Sequence, residues 1–390
     1  MGDVLFQITE ENLETGLRGY PVGYCTTSHV DPQKGLFYAG RPVAEFGTTT
    51  AEEAIYLLYH GKMGSPLEIQ KFFASLAPHQ RLRPETVEAI YALPRGGHPM
   101  KLFSSALLLL GMLEEESDYW KAGLAVLAKS PHLVACVINH HGGFGATPPP
   151  KEGLSYMENF VAMVNLPAGK PKGLSRVLEL FHVLHADHGG GNLSTFVGKA
   201  VASGLEDMYG SLAAAMLALE GPRHGRANQD CLEFVQEVLD KVGSTATASS
   251  VETLMREKLL HKKLIFGFGH AVLRIEDPRA GIMYGYVAGH YADHPLVKIA
   301  LLLREVGPKV LRENPKIADP FPNVDAISGT MLVAAGFPFP EYFTLLFGFS
   351  RLIGISRQII YERCEARGGK GTPIVRPKYL YRPMGSGQKV

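Results

Sequence analysis

Four glycine-flanked segments carry the side chains best suited to moving protons: His188 in HADHGGGN, His224 in GPRHGRANQ, His270 in GFGHAVLR and Asp325 in NVDAISG. Glycine lets backbone approach a ligand closely, while imidazole and carboxylate donate and accept protons in carbon-acid chemistry. The set reads as the pocket of an enzyme.

His224 follows Gly221-Pro222, which ends one helical pattern, and precedes the next by a few residues, so its ring is expected near a helix N-terminus. The helix dipole, Arg223 and Arg226 would all disfavour imidazolium there, leaving a neutral ring able to donate one N–H to a carbonyl oxygen as charge builds on it. The plainer reading is a helix-capping histidine. Asp325 follows a proline-broken loop and precedes the apolar run 331–337, an arrangement that holds a carboxylate at a partly desolvated helix start and raises its basicity. Its plainer reading is an ordinary N-cap.

The glycines before His270 do not form a nucleotide loop, because the GxGxxG spacing and a preceding strand are both absent. Arg279 in DPRA, Arg351 in FTLLFGFSRLIGIS and Arg376 in VRPK supply forks for anions. A guanidinium in so apolar a helix is costly unless it faces a carboxylate, from a ligand or from a structural Arg–Glu pair. Neither His140-His141 nor His185 with His188 comes with the companions of a zinc site, so no metal is expected.

The elements that must position these residues are helical. Apolar periodicity predicts helices over 52–59, 101–113, 119–128, 178–185, 211–220, 228–242, 251–260, 295–306 and 340–363. Strand-like alternation is scarce, with one short hairpin expected within 23–37 around an Asp-Pro turn. Linker-like composition appears at 143–153 and 315–322, and denser charge from Arg226 to about Lys316 marks a smaller domain inserted in a larger one. The expected division is 1–225 with 337–390 as the large helical domain and 226–336 as the small one. His224 and Asp325 would then sit at its two hinges, facing an active-site cleft that closes on its ligand.

With 390 residues, 46% of them hydrophobic, the chain has ample core for two domains. A net charge of +1 lacks the basic excess that holds nucleic acid or an anionic membrane, so neither is an expected partner. The four cysteines, Cys25, Cys136, Cys231 and Cys364, are scattered without a CxxC pair, which points to a reducing compartment, taken here as the cytoplasm. The acidic start MGDVLFQITEENLETG is unlike a transit peptide or secretory signal, and the apolar stretches 106–113 and 342–356 are read as buried helices too short to span a bilayer.

Along these residues the chain resembles the citrate synthases of mitochondria and some bacteria. Similar segments run in order from Arg18 through HPMKLFSSA, HADHGGGN, GPRHGRANQ, GFGHAVLRIEDPR, PNVDAISG and LFGFSR to VRPK. The resemblance implies a mainly α-helical homodimer that condenses oxaloacetate with acetyl-CoA and hydrolyses citryl-CoA to citrate and CoA. It implies no permanently bound cofactor, CoA being co-substrate and product. Asp325 would take a methyl proton while His224 hydrogen-bonds the thioester oxygen, and His270 would polarise the oxaloacetate ketone. His188, Arg279 and Arg351 would hold oxaloacetate with Arg376 of the other subunit, and Arg18, Arg274, Lys316 and Asn323 would contact CoA.

Departures from the family pattern are Ile327 for histidine, Ala318 for lysine, Gly189 for an acidic residue, Arg223 and Arg226 for apolar residues, and a longer segment over 366–371. None removes a catalytic group. Alternatives are a 2-methylcitrate synthase using propionyl-CoA, since one methylene changes discrimination only modestly, and a non-catalytic binder of CoA or a dicarboxylate.

Overall fold

A computed structural model describes residues 4–114, 116–315 and 317–384. The chain opens with a three-stranded antiparallel sheet, β1 (Ser28–Asp31), β2 (Gly35–Tyr38) and β3 (Arg41–Pro42), in which Ser28 faces Tyr38 and Asp31 faces Gly35. The predicted hairpin is therefore present, turned by Pro32 to Lys34. Apart from a single antiparallel bridge, Phe268 to Pro322, the remaining elements among the described residues are helical: α1 (Ala51–His60), α2 (Pro66–Leu76), α3 (Pro84–Tyr91), α4 (Pro99–Leu113), α5 (Tyr119–Gly142), α6 (Tyr156–Met163), α7 (Leu174–His185), α8 (Leu193–Ser203) and α9 (Met208–Leu219). Then come α10 (Ala227–Val242), α11 (Ala248–Leu260), α12 (Pro278–His290), α13 (Pro295–Leu311), α14 (Asp325–Ala334) and α15 (Phe343–Ile360).

Local chemistry sets many of these boundaries. Thr50 with Glu53, Ser65 with Glu68 and Ser155 with Glu158 form capping boxes that start α1, α2 and α6. Proline at the first position opens α2, α3, α4, α12 and α13, where its missing N–H costs nothing.

Helix α5 passes straight through Pro131, beyond the predicted end at 128. Proline there deprives the Leu127 carbonyl of its helical donor. The Ser130 and Tyr156 hydroxyls replace it, at 3.1 and 3.0 Å. No sequence signal marks that repair, because Tyr156 lies on α6.

Helix α15 is the axis of the first helical group, buried almost throughout and packed against α1, α4, α5, α7, α8 and α9. It runs on into a π-helical turn, Tyr361–Glu365. Helices α10 to α14 pack on one another as a second group, with α10 also touching α15 and α14 touching α7. The runs Tyr119–Gly142 and Pro340–Glu365 are long and apolar enough to cross a membrane, contrary to the shorter lengths read from sequence. Both are spent inside the fold, with 83% and 94% of their most apolar windows buried.

Candidate active site

Five segments meet where the two helical groups face each other: the loop between α7 and α8, the turn before α10, the loop before α12, the first turn of α14, and the middle of α15. The 267–270 loop and the 321–323 segment are zipped together. Gly269 N–H donates to Phe321 O (3.0 Å), Asn323 N–H to Gly267 O (2.9 Å) and the Asn323 amide to Gly269 O (2.9 Å). Gly267 has φ +84°, and a Cβ there would sit 2.9 Å from Ala326 Cα, so only glycine lets the loop lie this close to α14. The zipper brings His270 to the helix that begins with Asp325.

His270 has its tautomer fixed by its own loop. Nδ1 accepts from Val272 N–H (3.0 Å) and Leu273 N–H (2.9 Å), so the proton of the neutral ring sits on Nε2. Burial, helped by Arg279, lowers its pKa to about 4. His188 lies 5.4 Å away between ring centroids, its Nε2 buried without a partner among the described residues. Burial, then Arg279 and Arg351, hold its pKa well below the usual histidine value.

His224 does sit at a helix N-terminus, but of α8 and not of the helix that follows it. Ser194 N–H, one of the unsatisfied donors of that first turn, bonds Nε2 at 3.2 Å, with Ser194 Oγ at 3.0 Å. Nε2 is thus an acceptor and Nδ1–H the donor. Its pKa is lowered to about 4 by burial and by Arg351. Arg223 and Arg226, two of the expected causes beside the helix dipole, are both exposed. The ring is held neutral by burial and Arg351 in place of the two neighbouring arginines.

Asp325 occupies the first position of α14 after Val324, so it is not the N-cap. Burial raises its carboxyl to about 6, against the opposing pull of Arg279 and Arg351. Arg279 is buried and forks onto Asp277, Nε to Oδ1 at 3.0 Å and Nη2 to Oδ2 at 2.7 Å. Arg351 is 2% exposed and has no ion pair among the described residues. Its Nε donates to His185 O at 2.9 Å and its plane lies 4.7 Å from the Phe347 ring centroid. Burial lowers its pKa to about 10. The structural Arg–Glu pair considered from sequence is absent, and the fork remains available to an anion.

The structure thus gathers His188, His224, His270, Asp325, Arg279 and Arg351 into one electrostatic neighbourhood. Arg274 is exposed beside it, its Nη1 on the carbonyls of His270, Val272 and Leu273. Asn323 is engaged as the zipper's clasp, its Oδ1 also accepting from Asp325 N–H at 3.0 Å. Arg18 and Arg376 are exposed on the terminal segments, and Lys316 lies outside the described residues. Sequence reasoning missed Ser194 and Asp277. The Asp-Pro-Arg run, an N-cap two residues before a buried arginine, was the available signal for Asp277.

Chemically, the arrangement offers a base near neutrality, two neutral N–H donors with fixed tautomers and an unpaired buried cation. That suits proton removal beside a carbonyl with an anionic ligand held in place.

A family model described as "Citrate synthase, C-terminal domain" matches residues 16–378. A mitochondrial citrate synthase of Citrus maxima is 32% identical, the alignment covering 96% of this chain and 83% of that protein. A peroxisomal citrate synthase of Saccharomyces cerevisiae is also 32% identical, covering 94% and 84%. A mitochondrial 2-methylcitrate synthase of Yarrowia lipolytica is 31% identical, covering 96% and 84%. The crystal structure of citrate synthase from Thermotoga maritima superposes with a TM-score of 0.79 at 27% identity, covering 97% and 98%. A ternary complex of the Thermoplasma acidophilum enzyme with carboxymethyl coenzyme A and oxaloacetate superposes at 0.80, with 24% identity and 96% and 97% coverage, a likeness of fold.

The mitochondrial and peroxisomal relatives overturn the cytoplasmic placement. Scattered thiols distinguish reducing from oxidising surroundings and cannot tell one reducing compartment from another.

Proposed function

The chain belongs to the citrate synthase family of acyltransferases, and from that premise we propose that it condenses oxaloacetate with acetyl-CoA and hydrolyses citryl-CoA to citrate and CoA. The observation that carries the reading is Asp325, a largely desolvated carboxylate poised near pH 6 in one cluster with histidines held neutral. Asp325 takes a proton from the thioester methyl group. His224 Nδ1–H meets the charge that grows on the thioester oxygen, without which so weak a carbon acid would not ionise. His270 Nε2–H polarises the oxaloacetate ketone, and the enol carbon attacks it. His188, Arg279 and Arg351 bind the dicarboxylate. The ternary complex with carboxymethyl coenzyme A and oxaloacetate, formed by a protein of the same fold, supports both ligands and CoA as co-substrate.

Residues 226–336 act as the small domain and the remainder as the large one, a division supported by the mutual packing of α10 to α14. The working unit is a homodimer in which Arg376 reaches the partner's oxaloacetate. Supporting this are apolar side chains open to solvent on α4 and α9, Met112 and Leu217, and along the C-terminal segment, Ile374, Tyr379 and Tyr381. Arg18, Arg274 and Lys316 serve CoA. Asn323, which also holds the zipper, serves CoA with them.

Relatives named as 2-methylcitrate synthases, at 30% and 31% identity, support propionyl-CoA as a second acyl donor. The test is release of CoA with oxaloacetate and either acyl-CoA, read with a thiol reagent corrected for the four protein cysteines. Faster turnover of acetyl-CoA is expected. A strong propionyl preference would select the second reading, and no release with either would leave a binding protein.

A further inference from the structure

His188 sits in a glycine-rich loop where Asn192 Nδ2 donates to the carbonyls of His188 (3.3 Å) and Gly189 (2.9 Å), and both residues flanking it are tied to other elements as well. Asp187 is fully buried and accepts from Ser28 Oγ at 2.7 Å, from Thr27 Oγ1, and from Gln358 Nε2 at 2.9 Å. On the other side, Gly189 N–H donates to Ser28 Oγ at 2.7 Å while Gly189 O accepts from Gln358 Nε2 at 3.2 Å. Ser28 begins β1, more than 150 residues away along the chain, and is 4% exposed. Its hydroxyl uses one donor and one acceptor, bridging the residue before His188 to the residue after it. That leaves His188 the one member of the triplet whose side chain is not spent on the scaffold, its Nε2 facing the cluster unpartnered.

We propose that Ser28 is a positioning residue for His188: its hydroxyl clamps Asp187 and Gly189 so that the imidazole meets the dicarboxylate in one orientation. This rests on the oxaloacetate-binding reading of the site. The clamp is a matched donor and acceptor, so neither a bulkier apolar side chain nor a mere gap-filler replaces it. The hairpin's turn also touches the CoA side, Pro32 O accepting from Arg274 N–H at 2.9 Å, but the Ser28 hydroxyl bonds only Asp187 and Gly189, so the clamp acts on dicarboxylate binding and not on the acyl-CoA half of the reaction.

Thr and Val at this position differ only in the hydroxyl, and both suit a strand. With full-length Ser28→Thr and Ser28→Val, oxaloacetate binding is measured by calorimetry. KM for oxaloacetate is measured by turnover, as is KM for acetyl-CoA at saturating oxaloacetate. Ser28→Val is expected to weaken oxaloacetate binding roughly tenfold or more, as small misplacements of a binding group do. Its acetyl-CoA KM should stay within about twofold, and Ser28→Thr should resemble the parent in every measure. Equal binding by the Val variant, equal damage from Thr and Val, or a parallel rise in both KM values would overturn the clamp while leaving the function intact. Absence of oxaloacetate binding by the parent protein would bring down both.

Discussion

Side chains at this site are tuned by solvent exclusion more than by neighbouring charge, and that determines how they respond to pH. Asp325 must be ionised to accept a proton, so with its carboxyl near 6 turnover should fall as pH drops below about 6. His224 and His270, at about 4, stay neutral throughout and add no second limb there. A rate profile flat down to pH 5 would contradict the assignment. Asp325→Asn or His224→Gln should lower turnover by roughly 10²-fold or more, measured as CoA release. The same aspartate burdens the fold. Its folded value exceeds the unfolded 3.8, so the native chain holds that proton more tightly, and stability is lost as pH rises through about 6. Asp325→Asn should therefore stabilise the fold at pH 7 by at most about 3 kcal/mol, less for residual solvent contact, seen as a higher melting temperature, with no gain below pH 3.8. An inactive but more stable variant is the expected signature.

Helices carry the placement, and α15 shows how one element serves several ends. Arg351, Gly354 and Gln358 project from it toward the α7–α8 loop. Arg351 Nε takes His185 O, Gly354 N–H takes Ala186 O at 3.0 Å, and Gln358 takes Asp187. A Cβ on Gly354 would lie 2.2 Å from Asp187 Oδ1. Helix propensity alone would favour Gly354→Ala by about 1 kcal/mol, but the overlap should reverse the sign and destabilise by about 1–3 kcal/mol. Denaturant unfolding decides between them. Much of this level was legible in the sequence: periodicity found α1, α4, α9 and α10, and the Asp-Pro turn found the hairpin. What stayed hidden was tertiary. Helices α2, α3, α6, α8 and α12 are short or mixed in pattern, Pro131 is rescued from another helix, and the helix N-terminus facing His224 belongs to α8. The site residues stood out because glycine flanked them. Ser28, Ser194 and Asp187 did not, since a hydroxyl or carboxylate that braces a loop looks like any other until its partner is in place.

At the scale of the molecule, Arg18 and Arg376 lie exposed on the terminal segments. If Arg376 serves the neighbouring site, two inactive variants can repair each other. Arg376→Leu and Asp325→Asn, each near-inactive alone, should on co-expression yield mixed dimers in which one site has both native residues. Roughly a quarter of parent activity is expected if subunits pair at random. No recovery, with mixed dimers verified by differential tagging, would place Arg376 in its own subunit's chemistry or outside it.

The open fork of Arg351 also governs what the resting protein encounters before any substrate. An interior guanidinium with no ion pair among the described residues, balanced only from farther off by Asp187 and Asp325, draws whatever small oxyanion the medium supplies, and its occupancy follows concentration. Phosphate or sulfate buffers should then act as competitors of oxaloacetate, over and above ionic screening, so that apparent affinity at equal ionic strength changes with the choice of salt.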